Sequence, residues 1–292
     1  MEYQKYPKNF LELEDKFSNY EISKVAILPV PYEKTTTYIK GTARGPAAIL
    51  EASLAVEFYD EELDKTACDV GICTLNELNI LEEPELMVDI VYENVKKILD
   101  DKKFLIVVGG EHSITSGCVK AFSEEYDKLS VLQIDAHADL REENEGSRFN
   151  HGCAMRRCYD ICKNIVQVGI RSLSYEEAEF IKEKNLNIFW AKDIAENENW
   201  FDDAVSKLTE NVYITLDLDG FDPSIIPSTG TPEPGGLLYY PMLRFLRKVF
   251  KEKNVVGFDV VELCPNEKEI SSDFIAAKVI YKMIGYKFDK EV

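Results

Sequence analysis

The sequence predicts a single-domain α/β protein in three layers, α/β/α, with a central and mostly parallel sheet. Short apolar runs alternate with helix-like segments, and each run is continuously apolar, as expected for strands buried on both faces. No composition break, internal repeat or low-complexity linker divides the chain, which favours one domain over residues 23–292. Beyond the first strand, the predicted strands are residues 104–108, 130–134, 165–169, 187–190, 212–218 and 255–261.

The N-terminal third starts with a polar and aromatic segment, residues 1–22, which we expect to form an arm or a peripheral helix. Residues 24–30 are the first predicted strand. A break rich in Gly and Pro at 41–46 precedes a helix that begins near Pro46, since Pro is favoured in a first helical turn. Residues 84–100 carry apolar side chains at helical spacing, which predicts an amphipathic helix facing the core.

The chain is strongly acidic, with 34 Lys and Arg against 53 Asp and Glu residues and a formal net charge of −19. A field of this sign repels phosphate backbones and attracts cations, which argues against a nucleic-acid partner. The negative charge is explained either by solubility alone or by a cationic substrate. No apolar run reaches the roughly 18 residues that span a bilayer, and the N-terminus lacks a secretory signal, so we expect a cytoplasmic protein without a membrane partner.

The 7 cysteines are odd in number and scattered, which argues against a disulfide framework and for a reducing compartment. Cys153, Cys158 and Cys162 form a cluster, but their spacing lacks the paired CxxC knuckles of a structural zinc site. We expect buried small hydrophobic residues or free thiols and assign them no role.

The segment DAHAD places Asp135, His137 and Asp139 at alternate positions after an apolar run. Alternate side chains of an extended segment share one face, so these three can converge on one point. The chain has 3 histidines, and the other two, His112 and His151, lie in the same window of sequence. This concentration marks the window as the candidate site.

Groups of potential metal ligands end or follow several predicted strands. Loops at the carboxyl ends of parallel strands are where such sheets bind ligands. The longest irregular stretches, 140–155 and 220–238, follow strands that end in acidic residues. The ligand groups are GGEHS at 109–113, DAHAD at 135–139, NHG at 150–152 and TLDLDG at 215–220.

Four carboxylates and two imidazoles packed this closely require cations, because like charges otherwise repel or take up protons. Taken singly, a DxD after a strand is typical of a solvated turn, and a His beside Gly-Gly-Glu of a hydrogen-bonded structural residue. The shared location of every histidine favours a dinuclear site instead. Mixed carboxylate and imidazole ligation suits Mn²⁺ and also accepts Fe²⁺, Co²⁺ or Zn²⁺. Two such ions about 3.5–4 Å apart lower the pKa of a bridging water to give hydroxide, the nucleophile of a hydrolase.

These motifs resemble the ureohydrolase superfamily, which contains the arginases and agmatinases. The most specific matches are Leu216–Ser224 (LDLDGFDPS) and Thr229–Gly236 (TGTPEPGG). The resemblance extends from Pro29–Tyr32 and Gly41–Pro46 to Gly257–Pro265 and so covers nearly the whole chain. It implies the arginase-like fold, one α/β domain with a central parallel sheet, and assembly as homotrimers or homohexamers.

The resemblance also implies two Mn²⁺ per subunit and a role for each ligand. The first ion is bound by His112, Asp135, Asp139 and Asp217, and the second by Asp135, His137, Asp217 and Asp219, so that Asp135 and Asp217 bridge. Glu262 and Thr231 hold the guanidinium group of the substrate. His151, the proton shuttle, acts with Asp139 and Glu262 in catalysis. A carboxylate accepts paired N–H donors of a planar guanidinium in a fork, and a histidine can protonate a leaving amine.

Departures from the arginase pattern favour agmatine, cleaved to putrescine and urea in polyamine biosynthesis. The loop after DAHAD reads LREENEG at 140–146 and lacks the Asn- and Ser-rich ligands of an α-carboxylate, whereas GTPEPGG at 230–236 is agmatinase-like. Glu142, Glu143 or Glu145 is the expected ligand of the distal amine, unless the three form a solvated face. Arg141 keeps 4-guanidinobutyrate, arginine or a related guanidine as an alternative substrate. A non-catalytic metal-binding homologue is the alternative from another class.

Overall fold

Eight parallel strands form one sheet in the computed structural model, which describes residues 1–5 and 7–289. The order across the sheet is β4-β1-β5-β10-β9-β6-β7-β8. Two short antiparallel strands, β2 (Tyr59–Asp60) and β3 (Lys65–Thr66), form a separate hairpin. The strands of the main sheet are β1 Val25–Val30, β4 Ile72–Thr74, β5 Phe104–Gly109, β6 Leu129–Ile134, β7 Ile165–Ile170, β8 Asn187–Trp190, β9 Asn211–Asp217 and β10 Asn254–Val261.

Helices cover both faces of this sheet and complete the three predicted layers. One hydrophobic core lies between the sheet and α2, α8, α9 and α10, and a second lies between the sheet and α3, α4, α5 and α6. None of the helices in the described ranges is long and apolar enough to cross a membrane. The helices are α1 Asp15–Ser18, α2 Gly45–Ser53, α3 Pro84–Asp100, α4 Thr115–Glu125, α5 Ala154–Ile161, α6 Tyr175–Lys184, α7 Ala191–Ile194, α8 Phe201–Lys207, α9 Tyr239–Glu252 and α10 Ser271–Phe288.

The predicted strands and the predicted helix at 84–100 are all present, with ends that differ by at most one residue. Each strand of the main sheet except the half-buried edge strand β8 is buried from end to end or nearly so, because its two faces meet different helical layers. In β6, for example, Val131 belongs to one core while Leu132 and Ile134 belong to the other. The strands β2, β3 and β4 are too short to produce an apolar run and were not predicted.

Residues 1–22, expected to be an arm or a peripheral helix, contain two short helical turns that pack closely on the domain. The turns are Phe10–Glu12 and α1. Phe10 and Leu11 are buried, and their backbone N–H groups donate to Thr74 Oγ1 and Ser53 Oγ, both at 2.9 Å. The apolar residues of this segment show no helical period because they lie in separate turns. The 7 cysteines are buried and free, as expected for Cys153, Cys158 and Cys162.

The strand order brings the predicted ligand groups to one edge of the sheet. β5, β10, β9 and β6 are adjacent and parallel, so their carboxyl ends lie side by side. The turn that follows β5 requires glycine. A Cβ on Gly110 would lie 2.0 Å from the carbonyl oxygen of Tyr32, which leaves no room for any other residue.

Replacing Gly110 with Ala is therefore expected to lower the free energy of unfolding of the metal-free protein by more than about 2 kcal/mol, because the backbone must move. Urea denaturation measures this change. Gly152→Ala is the matched control, since its Cβ would meet nothing closer than 3.6 Å. Equal denaturation midpoints for the two variants would contradict the close approach.

Candidate metal centre and active site

The strand ends carry the predicted ligands into one cluster. His112 begins a short 3-10 turn, His112–Ile114, just after β5, and Asp135 follows directly after β6. Asp217 is the last residue of β9, and Glu262 comes directly after β10. All four of these residues are buried.

One half of the cluster surrounds His112. Its Nδ1 atom lies 3.1 Å from Asp135 Oδ2, 3.0 Å from Asp139 Oδ2 and 3.4 Å from Asp217 Oδ2. Three carboxylate oxygens and an imidazole nitrogen at these separations match the donor set of a divalent transition-metal ion.

The other half surrounds His137 and shares Asp135 with the first. His137 Nδ1 lies 2.9 Å from Asp219 Oδ2 and 3.7 Å from Asp135 Oδ1. His112, Asp135 and Asp139 form one potential metal-binding group, and Asp135, His137 and Asp219 form another. The structure thus brings together all six predicted ligands, with Asp135 at the junction.

Backbone N–H groups orient the carboxylates. Asp217 Oδ1 accepts from the N–H of Asp219 at 2.9 Å, and Asp219 Oδ1 accepts from the N–H of Ala136 at 3.0 Å. Asp135 Oδ1 accepts from the N–H of His137 at 2.6 Å. In Asp217 and Asp219 the other oxygen is left facing an imidazole. The turns after β6 and β9 therefore fix the ligands before any cation binds.

The Nδ1 atom of His112 is buried and makes no hydrogen bond within the described part of the chain. Its ring is oriented from the other side, where Nε2 lies 2.8 Å from Thr215 Oγ1. The Thr215 hydroxyl donates to Asp259 Oδ1 at 2.6 Å, so it accepts the proton of His112 Nε2. Nδ1 is then the ring atom that faces the three carboxylates, and a metal ion bound there would displace any proton that it carries. Such an arrangement fits a metal ion at this position.

The charges of the cluster oppose one another in the absence of cations. Burial raises the pKa of Asp217 well above its ordinary value, and Asp219 and Asp135 raise it further. Burial also raises the pKa of Asp139 to about 6, against the lowering effect of His112. For His137, burial lowers the pKa, but the Asp219 and Asp135 carboxylates outweigh it and raise the value to about 12. In the absence of divalent cations, protons bound to these side chains therefore offset the negative charge of the carboxylates.

A polar row crosses the sheet beneath the ligands. Gln167, Gln133, Thr215 and Asp259 are register partners on neighbouring strands β7, β6, β9 and β10. Gln167 donates to Gln133, and Gln133 Nε2 donates to Asp135 Oδ2 at 2.6 Å. Asp259 accepts from Thr215 as well as from Thr115 and Tyr213. The sequence prediction missed this row, although a Gln and an Asp inside apolar strands were a signal for it.

Glu262 and His151 lie beside the cluster. Glu262 Oε1 accepts from the N–H of His112 at 2.7 Å and lies 3.7 Å from His151 Nδ1. Burial lowers the pKa of His151, but the Glu262 carboxylate and then Asp139 raise it above its ordinary value. Both residues line a cavity of about 300 Å³, together with Thr37, His137, Ala138, Asp139, Arg141, Asn144, Glu145, Gly152, Ser172, Leu173, Glu177, Asp217, Asp219 and Thr231.

The predicted amine ligands separate in the structure. Glu145 lines the cavity, whereas Glu142 is not among its lining residues. The Glu142 carboxylate pairs instead with Arg148 at 2.6 Å, Arg156 at 2.5 Å and Arg157 at 3.3 Å. These contacts favour Glu145 over Glu142 as the ligand of a distal amine, because Arg148 of the loop and Arg156 and Arg157 of α5 neutralise the charge of Glu142.

The fold and the site define an α/β protein with a cluster of carboxylate and imidazole groups at the carboxyl ends of a parallel sheet. Residues 23–285 match the family described as the Arginase family. The chain belongs to this family, and it is a hydrolase of the agmatinase-like ureohydrolases.

Proteins of similar sequence include the N(1)-aminopropylagmatine ureohydrolase of Synechocystis sp., which is 43% identical over 96% of this chain and 94% of that protein. The agmatinase of Pyrococcus horikoshii is 34% identical over 89% of this chain and 90% of that protein. Among solved structures, the agmatine ureohydrolase of Thermoplasma volcanium superposes with a TM-score of 0.88 at 30% identity, covering 97% of this chain and 95% of that one.

Replacing Thr215 with Val is expected to weaken Mn²⁺ binding about 10- to 100-fold, because His112 loses the acceptor that fixes its tautomer. Isothermal titration calorimetry on the metal-free protein measures the affinity. Tyr213→Phe is the control, since it removes a different hydrogen bond to Asp259 and leaves Thr215 on His112. An equal loss in both variants would mean that the effect is a general one on strand β9.

Metal binding is also expected to release protons, because the pKa values of His112 and His137 are raised in the metal-free cluster and both imidazoles must be deprotonated to bind a cation. The apparent affinity for Mn²⁺ should therefore rise from pH 6 to pH 8 and fall as the solution becomes more acidic. Calorimetry in two buffers of different ionisation enthalpy counts the protons. A proton count of zero with a pH-independent affinity is the contrary result.

Proposed function

We propose that this protein hydrolyses the guanidinium group of agmatine to putrescine and urea with two Mn²⁺ ions. The observation that carries the proposal is two clusters of imidazole and carboxylate side chains that share Asp135 and lie beside the cavity lined by Glu262 and His151. His112, Asp135, Asp139 and Asp217 would hold one ion, and Asp135, His137, Asp217 and Asp219 the other. When bound, such a pair of ions supplies a strongly nucleophilic water at neutral pH.

Glu262 is suited to orient the substrate. Its Oε1 is occupied by the N–H of His112, while Oε2 has no hydrogen bond within residues 1–5 and 7–289. This oxygen is free to accept N–H donors of a guanidinium, with the Thr231 side chain as a second contact on the cavity wall. The planar group is then held with its central carbon near the cluster, which reduces the entropy cost of reaction.

His151 is suited to protonate the leaving amine. An alkylamine leaves poorly as its anion, and the proton must come from a group that is partly charged near neutral pH. The carboxylates beside His151 raise its pKa in the direction that favours this donor role.

Glu145 is our proposed ligand for the distal amine. It lies in a tight turn in which Asn144 and Ser147 exchange two backbone hydrogen bonds of 3.0 Å, and both Glu145 and Gly146 have positive φ. This type I′ geometry fixes the backbone of Glu145, whose exposed side chain lines the cavity. Arg141, which would pair with the distal carboxylate of the alternative substrates, has its Nε atom 3.8 Å from Glu177 Oε2. Glu177 offsets the charge of Arg141. Glu145 therefore gives this wall of the cavity a net negative charge.

N(1)-aminopropylagmatine is the second candidate substrate, because the relative that is 43% identical over 96% of this chain carries that name. The two compounds share the guanidinium end and differ in the amine end, so both suit the same cluster and the same negative wall.

The assembly into a homotrimer or homohexamer remains a prediction. Light scattering coupled to gel filtration tests it.

The test of the proposed function is urea release by Mn²⁺-loaded protein from agmatine, N(1)-aminopropylagmatine, 4-guanidinobutyrate and arginine. We expect the highest kcat/KM with one of the two amine-terminated guanidines. Preference for a carboxylate-terminated guanidine would show that Arg141 rather than Glu145 selects the substrate. The absence of urea from every compound would contradict the function itself.

Replacing Glu145 with Gln is expected to raise KM for the amine-terminated substrates about two- to fivefold with little change in kcat, since an exposed ion pair contributes about 0.5–1 kcal/mol. The KM for n-butylguanidine, which has no distal charge, should not change. Glu143→Gln is the control, because Glu143 belongs to the same loop but does not line the cavity. Identical effects of the two substitutions would argue for long-range charge alone.

A further inference from the structure

His151 is attached to a segment far away in sequence. Its backbone N–H donates to Thr35 Oγ1 at 2.8 Å, across 116 positions of the chain. The preceding residue, Asn150, is buried and donates from Nδ2 to the Thr35 carbonyl oxygen at 3.4 Å. The short 3-10 turn that carries His151, His151–Cys153, therefore rests on Thr35.

Thr35 is itself held by the buried carboxylate of Glu111. The Thr35 hydroxyl donates to Glu111 Oε1 at 2.6 Å, and the Thr35 N–H donates to Oε2 at 2.6 Å. Glu111 also accepts from the N–H of Lys34 at 2.5 Å and from Ser113 Oγ at 2.6 Å. Glu111 is fully buried, and four hydrogen bonds satisfy its two oxygens.

The direction of these bonds gives Thr35 a defined role. A carboxylate at neutral pH only accepts, so the hydroxyl proton of Thr35 points to Glu111. The oxygen lone pairs of Thr35 are then available to the N–H of His151. A side chain without a hydroxyl would leave that N–H without its acceptor and the Glu111 oxygen without one donor.

The turn Glu111-His112 thus serves two parts of the site. His112 supplies a ligand to the metal cluster, and Glu111 sets the position of the loop on which His151 rests. A displacement of about 1 Å between a proton donor and the reacting group can lower the rate about 100-fold. The Thr35 hydroxyl is therefore the contact that joins the backbone of His151 itself to the Glu111 carboxylate.

We propose that Thr35, anchored by Glu111, is a positioning residue for His151. This inference depends on the proposed function of His151 as the proton donor. It predicts that Thr35 affects the rate through His151 and has no effect on the metal ions.

The test combines substitutions at both positions and measures urea release from agmatine with Mn²⁺-loaded protein. Thr35→Val should lower kcat about 10- to 100-fold with unchanged Mn²⁺ stoichiometry, and Thr35→Ser, which keeps the hydroxyl, should restore most of the rate. In a His151→Ala background, Thr35→Val should cause no further loss, because residues that act as a unit are not additive. Thr36→Val is the control in the same loop, since the Thr36 hydroxyl bonds to Glu33 and does not contact His151.

The outcomes separate the two claims. Unchanged activity of Thr35→Val, or an equal loss with and without His151, overturns the positioning role. Full activity of His151→Ala overturns the proposed role of His151 instead. If the valine variant is insoluble, Thr35→Ala removes the same hydroxyl with a smaller side chain and is judged by the same comparison.

Discussion

The structure depends on one crowded group of charges, the buried carboxylates around Asp135. Asp135 faces His112 through Oδ2 at 3.1 Å and His137 through Oδ1 at 3.7 Å, and it accepts hydrogen bonds from Gln133 and from the N–H of His137. Buried like charges are costly unless cations or protons compensate for them. The turns after four adjacent strands keep these groups together, so the fold maintains a site whose charge balance calls for metal.

The polar row beneath the ligands explains how the sheet supports this site. Thr215 and Asp259 are register partners on β9 and β10, and Gln133 and Gln167 are register partners on β6 and β7. Each of these side chains would be costly to bury alone, but each is hydrogen-bonded to a neighbour in the row. Gln133 in turn orients Asp135, and Thr215 orients His112. The row therefore links strand register directly to the tautomer of His112 and the orientation of Asp135.

The sequence alone predicts the strands and the ligands because both depend on local patterns. Continuous apolar runs identify buried parallel strands, and DAHAD together with the position of every histidine identifies the cluster. Contacts between distant segments leave no such local pattern. The contact of Thr35 with His151, the three arginines around Glu142 and the register of the polar row all depend on the packed structure. Glu142 and Glu145 are close in the chain, yet Glu142 pairs with Arg148 and with Arg156 and Arg157 of α5, whereas Glu145 lies in the tight turn at 144–147 and lines the cavity.

Location of the bound ions tests the central claim most directly. Crystals of the protein grown with Mn²⁺ and measured at the manganese absorption edge give an anomalous difference map in which each manganese ion appears as a peak. The account predicts two peaks per chain, one beside His112 Nδ1 and one beside His137 Nδ1, with the Asp135 carboxylate between them. A single peak, or ions bound elsewhere with Asp135 uninvolved, would contradict it.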